Sequence, residues 1–204
     1  MTFSPIILLM LIASLSAKQS RHDPCRCKDR EAPHRYRYFE KHSTNFPQYA
    51  GAKDTITCRD IIAWHTRYAK ATLRVSGHGR RSGRVPGTPE DSLYTLAGYM
   101  YYVRHESKKK GDCDLHIEIG TADASSPRAI VEATNDDCAL QKMILEHVAS
   151  RGYSLEEEFP AGLPCVVKGL GFYDGNQPVA EHGRPGKTNM SLWELHPIKS
   201  IQFR

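Results

Sequence analysis

No stretch of this 204-residue chain holds the roughly 20 consecutive apolar residues that a helix needs to cross a bilayer. Aromatic residues are few, at 9% with 2 Trp, and a mean hydropathy of -0.52 is too polar for a multispan membrane protein. The 40% of hydrophobic residues is in turn too high for a chain that stays unfolded along its whole length. Catalytic signatures are missing too. There is no Gly-x-Ser-x-Gly elbow, no His-Glu-x-x-His helix, and no Gly-Lys-Ser/Thr after the glycine-rich Gly77–Thr88. Serine-hydrolase, zincin and phosphate-loop chemistry therefore have no motif to stand on.

What is present begins with a compartment signal. Ile6–Ala17 is a run of about a dozen apolar or small residues, closed by Lys18-Gln19-Ser20-Arg21. It is short for a span and suits the core of a secretory signal peptide, so we expect 1–17 to be a signal peptide and the protein to be secreted or periplasmic. Six cysteines (Cys25, Cys27, Cys58, Cys113, Cys138 and Cys165) fit an oxidising compartment and read as disulfides. The expected bridge is Cys113–Cys138, because both flank one predicted strand pair. Charge is unevenly spread: residues 18–110 carry about 20 basic and 9 acidic side chains, residues 111–204 about 8 and 14.

Along the chain, residues 18–56 are rich in Arg, His, Tyr and Pro without apolar period and read as an irregular basic arm. Residues 57–87 hold a short helix, capped by Thr57 or Asp60 and carrying Ile61, Ile62, Trp64, His65 and Tyr68, then a basic glycine-rich loop. Strand signals fill 88–204. Leu93–Val103 is β-branched and aromatic with Gly98 as a bend, and Lys108–Gly111 turns the chain. In Asp112–Ile119, Cys113, Leu115, Ile117 and Ile119 alternate with Asp114, His116 and Glu118. A third strand spans Arg128–Thr134. Asn135–Asp137 caps a helix with Leu140, Met143, Ile144 and Val148 on one stripe, ended by Gly152. Leu163–Tyr173 and Leu192–Phe203 complete the set. The order strand-strand-strand-helix-strand-strand predicts a mainly β domain, a small five-stranded OB-like barrel.

The chemistry-bearing residues fall into two groups. Period two puts His116 and Glu118 on the outward face of one strand. Glu132 lies on its neighbour, and His196, two residues after Glu194, on the last strand; Asp174 and His182 sit at the ends of the adjoining loop. His116, Glu118, Glu132 and His196 on one surface would hold a divalent metal and activate water for phosphodiester hydrolysis. The alternative for the same groups is solvated strand faces that only stabilise the sheet. The second group is basic and aromatic: Arg74, Arg80, Arg81, Arg84, Lys108, Lys109 and Lys110 interleave with Tyr99 and Tyr101, the pattern of a groove for nucleic acid or an acidic glycan. Glu156-Glu157-Glu158 lacks the ligand spacing of a calcium loop and reads as solvated.

Several segments, in order, carry a resemblance. Thr88–Tyr99 (TPEDSLYTLAGY), Asp112–Ile119 (DCDLHIEI), Ile130–Ala133 (IVEA), Gly171–Asp174 (GFYD) and Trp193–Pro197 (WELHP) resemble a family of exported bacterial proteins, largely uncharacterised. The resemblance spans about 88–200 and implies export and a small β-barrel. The strand and helix order is also similar to the thermonuclease branch of OB-folds, whose arginine-and-carboxylate pattern is not found at matching places. The leading expectation is an exported, disulfide-stabilised OB-like domain that binds a polyanion. Its rivals are a metal-dependent secreted hydrolase and a protein-interaction module of the envelope.

Overall fold

The computed structural model describes residues 52–69, 87–106, 112–175, 178–188 and 190–204. The expected signal peptide, most of the basic arm with Cys25 and Cys27, most of the glycine-rich loop and the lysine turn lie outside the described residues. The elements are β1 (Ala52–Ile56), α1 (Cys58–Arg67), β2 (Leu93–His105), β3 (Leu115–Gly120), β4 (Ala129–Ala133), α2 (Cys138–Ser150), β5 (Leu163–Tyr173) and β6 (Trp193–Phe203). No helix among the described residues is long and apolar enough to cross a membrane.

The sheet runs β1-β2-β3-β4-β6-β5, and β5 returns to pair with β2, so β2-β3-β4-β6-β5 close on themselves as a five-stranded barrel. The OB-like architecture stands. Closure rests on the length of β2, which reaches 13 residues. Its first part, Leu93–Met100, pairs antiparallel with β5, and its last, Tyr99–His105, with β3. Gly98 sits where the two pairings meet. A Cβ there would lie 2.7 Å from both the Gly120 carbonyl oxygen and Ile119 Cγ2, so only glycine lets the neighbouring backbone come that close.

Three expectations change in detail. The end of the arm is not irregular: Ala52–Ile56 pairs parallel with β2 as an edge strand. Thr57 then opens α1 with a capping box, its hydroxyl accepting from the Asp60 N–H while the Asp60 carboxylate accepts from the Thr57 N–H at 2.7 Å. The helical stripe of α2 is Leu140, Gln141, Ile144 and Val148; Met143 is 40% exposed, so it belongs to the solvent side. Gln141 earns its burial by donating to the backbone oxygens of Cys113 (3.1 Å) and Ala133 (2.8 Å), which ties α2 to the β3 and β4 ends.

The core is the barrel interior: Leu96, Met100, Val103, Leu115, Ile117, Ile119, Val131, Val167, Leu195 and Ile198 are buried together with Ile144 of α2. α1 adds Ile61 and Trp64, and Trp64 meets Tyr94 at 4.9 Å and Trp193 at 5.8 Å between ring centroids. Cysteine use departs from a full set of bridges. Cys58 and Cys165 are free thiols inside this core, whereas Cys113 and Cys138 are disulfide-bonded. Burial pushes the Cys58 thiol up to about 11 and that of Cys165 up to about 12, so neither ionises near neutral pH.

Candidate metal centre

Alternation decides which side chains leave the core. With Leu115, Ile117 and Ile119 turned inward, Asp114, His116 and Glu118 project from the other face of β3. Register carries this polar strip sideways. His116 pairs with Glu132 and Glu118 with Ile130 on β4, while Ile130 pairs in parallel with Glu194 on β6, which places His196 beside Glu132. One barrel face thus collects Asp114, His116, Glu118, Glu132, Glu194 and His196.

These groups were expected to face solvent. They do not: all six are buried, Asp114, Glu118 and His196 completely. The cause is a cover that strand periodicity cannot reveal. Between β5 and β6 the chain folds back over β3 and β4. The Arg128 N–H donates to the Lys187 carbonyl at 2.8 Å, the side chain of Arg184 reaches Glu118, and His182 stands over Glu194. A second covering segment follows α2, where the N–H groups of Glu156 and Phe159 donate to Val103 and Tyr101 of β2.

Within the face, Glu118 has its own partners. Its carboxylate takes Arg128 at 3.1 Å and a fork of two nitrogens from Arg184, and both arginines also hold Glu158. Glu158 is exposed, as expected of the acidic run, yet both arginines engage it. The Arg128 and Arg184 guanidinium groups keep its carboxyl down at about 2. Glu118 closes the cover instead of joining the histidines, the nearest of which, His116 Nε2, is 3.9 Å away.

The remaining groups form a chain of three histidines (His116, His182 and His196) and three carboxylates (Asp114, Glu132 and Glu194). Glu132 spans two of the histidines: Oε1 is 3.2 Å from His116 Nδ1 and Oε2 is 2.9 Å from His196 Nδ1. Glu194 Oε1 lies 3.0 Å from that same His196 Nδ1, and its Oε2 is 3.8 Å from His182 Nε2. His182 Nδ1 is 2.9 Å from the Ser191 carbonyl oxygen. At His116 and His182 Nδ1 meets an oxygen that accepts, so Nδ1 carries the hydrogen and Nε2 presents its lone pair; His196 has carboxylates at both ring nitrogens. Each Nε2 in turn faces a carboxylate: Glu118 for His116, Glu194 for His182, and Asp114 Oδ2 at 3.2 Å for His196. The last contact is a buried ion pair, whereas His116 Nε2 is buried without a hydrogen-bond partner. The other oxygen of Asp114 is occupied, accepting the Asn135 N–H at 2.7 Å.

Electrostatics show a surplus of negative charge. Burial, reinforced by Asp112, pushes the Asp114 carboxyl up to about 7 despite the pull of His196. Burial and the nearby Glu132 push Glu194 up to about 8. For His196, burial alone would favour the neutral ring, but Glu132, Asp114 and Glu194 together raise it well above its ordinary value. Burial lowers His182, against Asp174 and Glu132. Carboxyls that hold protons near neutrality for want of positive charge make a face on which a cation is stabilised.

The donor set fits such an ion. Asp114, Glu132 and His196 offer ligand atoms within 4.8 Å of one another, as do Asp174, His182 and Glu194, and Glu106, His116 and Glu132. Mixed imidazole and carboxylate donors suit zinc or manganese. At the β2 end the Glu106 side chain is 25% exposed beside Arg104, and at the β5 end Asp174 is half-buried.

Of the residues singled out from the sequence, the fold brings together His116, Glu132 and His196 and diverts Glu118 to the arginines. Asp114, Asp174, His182 and Glu194 join the histidines. Asp114 carried a signal in its period-two spacing with His116; His182 carried none beyond its loop. Of the expected polyanion-binding residues, Arg74, Arg80, Arg81, Arg84, Lys108, Lys109 and Lys110 lie outside the described residues. Tyr99 is half-buried. Tyr101 is not available for stacking: it is buried, donates its hydroxyl to the Thr121 carbonyl at 2.7 Å and has Arg128 over its ring at 4.4 Å. Against protein-family models, curated proteins and solved structures, this chain finds no match.

Proposed function

We propose that the covered barrel face is a divalent-metal centre and that the protein is a metal-dependent hydrolase of phosphodiesters. The supporting observation is the fully buried pair Asp114 Oδ2 and His196 Nε2, 3.2 Å apart, with Glu132 beside it to complete a set of ligand atoms within 4.8 Å of one another. Two oxygen and nitrogen ligands of one ion, each about 2.1 Å from it, stand about 3 Å apart. Asp114 and His196 would hold the cation with Glu132 beside them. Bound there, it would lower the pKa of water and stabilise charge developing on a phosphoryl oxygen.

The protein's own groups supply the rest. Glu132 keeps the His116 hydrogen on Nδ1, leaving the buried Nε2 free to accept a proton from an attacking water. Glu194 and Glu132 orient the His196 ring through Nδ1, the arrangement that supports a histidine ligand from behind. A nucleic acid would be both the polyanion favoured by the basic N-terminal half and the phosphodiester cleaved, so the two sequence expectations converge on a nuclease.

The test is hydrolysis of single-stranded DNA, RNA and bis(p-nitrophenyl) phosphate by full-length protein stripped with EDTA and resupplied with zinc, manganese, magnesium or calcium. Activity is expected with at least one ion, and its loss in His196→Ala and His116→Ala. Inactivity with all four ions on all three substrates would overturn the proposal.

A further inference from the structure

We infer that the segment covering the barrel face is clamped by a second cation, held by Asp174, His182 and Glu194. This rests on reading the face as a metal centre, but its observations are its own. His182 is nine-tenths and more buried. Its Nδ1 lies 2.9 Å from the Ser191 carbonyl oxygen, which can only accept. The hydrogen therefore sits on Nδ1, and the Nε2 lone pair points at Glu194 Oε2 across 3.8 Å.

That distance is too long for a hydrogen bond. Two ligand-type atoms at this separation leave room for a cation between them. Ligands about 2.0–2.2 Å from a shared ion stand about 3–4 Å apart, which brackets this gap. Asp174 supplies the third ligand atom, all three lying within 4.8 Å of one another. Its backbone is fixed at the end of β5, where its N–H donates to the Leu192 carbonyl at 2.8 Å.

The site ties together three parts of the fold that nothing covalent holds close: the end of β5 (Asp174), the middle of the cover (His182) and β6 (Glu194). A cation there would press the cover onto the barrel. It would also act on the first site, because the second oxygen of Glu194 reaches His196 Nδ1 at 3.0 Å. Glu194 is thus a ligand at one site and a support behind a ligand at the other. The donors, one imidazole and two carboxylates, favour zinc or manganese over magnesium.

Native mass spectrometry of the EDTA-stripped full chain titrated with zinc, with limited proteolysis in parallel, tests this. Two zinc ions per chain are expected for the wild type and one for His182→Ala. One is also expected for Asp174→Asn, a nearly isosteric change at a half-buried position that serves should His182→Ala fail to fold. Zinc should slow cleavage between 174 and 192 at least tenfold in the wild type and not in either variant. One ion in the wild type that survives both substitutions, or cleavage that zinc does not slow, would overturn the second site and leave the first standing. No zinc bound at all would overturn both.

Discussion

Replacing Asp114 by asparagine separates a metal ligand from a structural counter-ion, because the two roles predict opposite signs. In the metal-free protein the Asp114 carboxyl rises from 3.8 to about 7, and that balance already includes the attraction of His196. A rise of that size corresponds to about 4 kcal/mol set against the ionised form once the pH exceeds 7. Asparagine keeps the acceptor for the Asn135 N–H, removes the charge and gives up the pull of His196. The net gain expected is about 1–2 kcal/mol, or about 3–8 °C in Tm for a domain of this size.

The pH dependence carries a sign as well. The folded pKa lies above the unfolded one, so the wild type is destabilised as pH climbs from about 4 to about 7, while Asp114→Asn escapes that slope. Thermal unfolding across pH 4–8 in EDTA, repeated with excess zinc, gives both readings. Metal-free Asp114→Asn should be the more stable protein at pH 7.5. With zinc the order should reverse, since binding raises the wild-type Tm while the variant loses at least tenfold in affinity. A variant less stable than the wild type in EDTA at pH 7.5 would show that the carboxylate is there to balance His196, and the metal argument would lose its foundation.

Other expectations follow from the barrel and its cover. Gly98→Ala pushes a Cβ to 2.7 Å from the Gly120 carbonyl oxygen and should cost about 1–3 kcal/mol in urea unfolding; unchanged stability would refute the close approach at the bend. Glu158, held near 2 by Arg128 and Arg184, contributes stability that is fully present above about pH 4.5 and disappears as pH falls through 2. At 41% side-chain exposure the gain is screened to about 1 kcal/mol or less. Glu158→Gln should flatten that acid limb, and an unchanged acid titration would argue against the arginine pair. Cys58 and Cys165 should resist iodoacetamide at pH 8 until the protein unfolds, while Cys113 and Cys138 appear in cross-linked peptides under non-reducing conditions. Native alkylation of any of the four would contradict this assignment.

Much of the barrel is legible in the residue pattern. Leu115, Ile117 and Ile119 alternate with polar neighbours, Gly98 interrupts an aromatic strand, and three acids or amides precede the α2 stripe. Each is a local signal that backbone geometry converts directly into a strand face, a bend or a helix start. Elsewhere local signals fall short. β1 is a five-residue edge strand next to a basic arm, too short for a period to show. The expectation that every cysteine is bridged fails for Cys58 and Cys165, since a thiol in an apolar core is written with the same letter as a half-cystine.

The site shows the division most clearly. Period two already states that Asp114, His116 and Glu118 leave the core together, because a pleated strand alternates its side chains whatever surrounds it. It says nothing of what lies on the far side. Whether that face meets water or protein depends on where a glycine- and proline-rich connection comes to rest. The register of three strands brought Glu132 between His116 and His196. The fold-back of 174–192 then set His182 over Glu194, aimed Arg184 at Glu118, and turned a solvated row of charges into a buried one. Those contacts join residues up to 66 positions apart in the chain, a range over which periodicity carries no information.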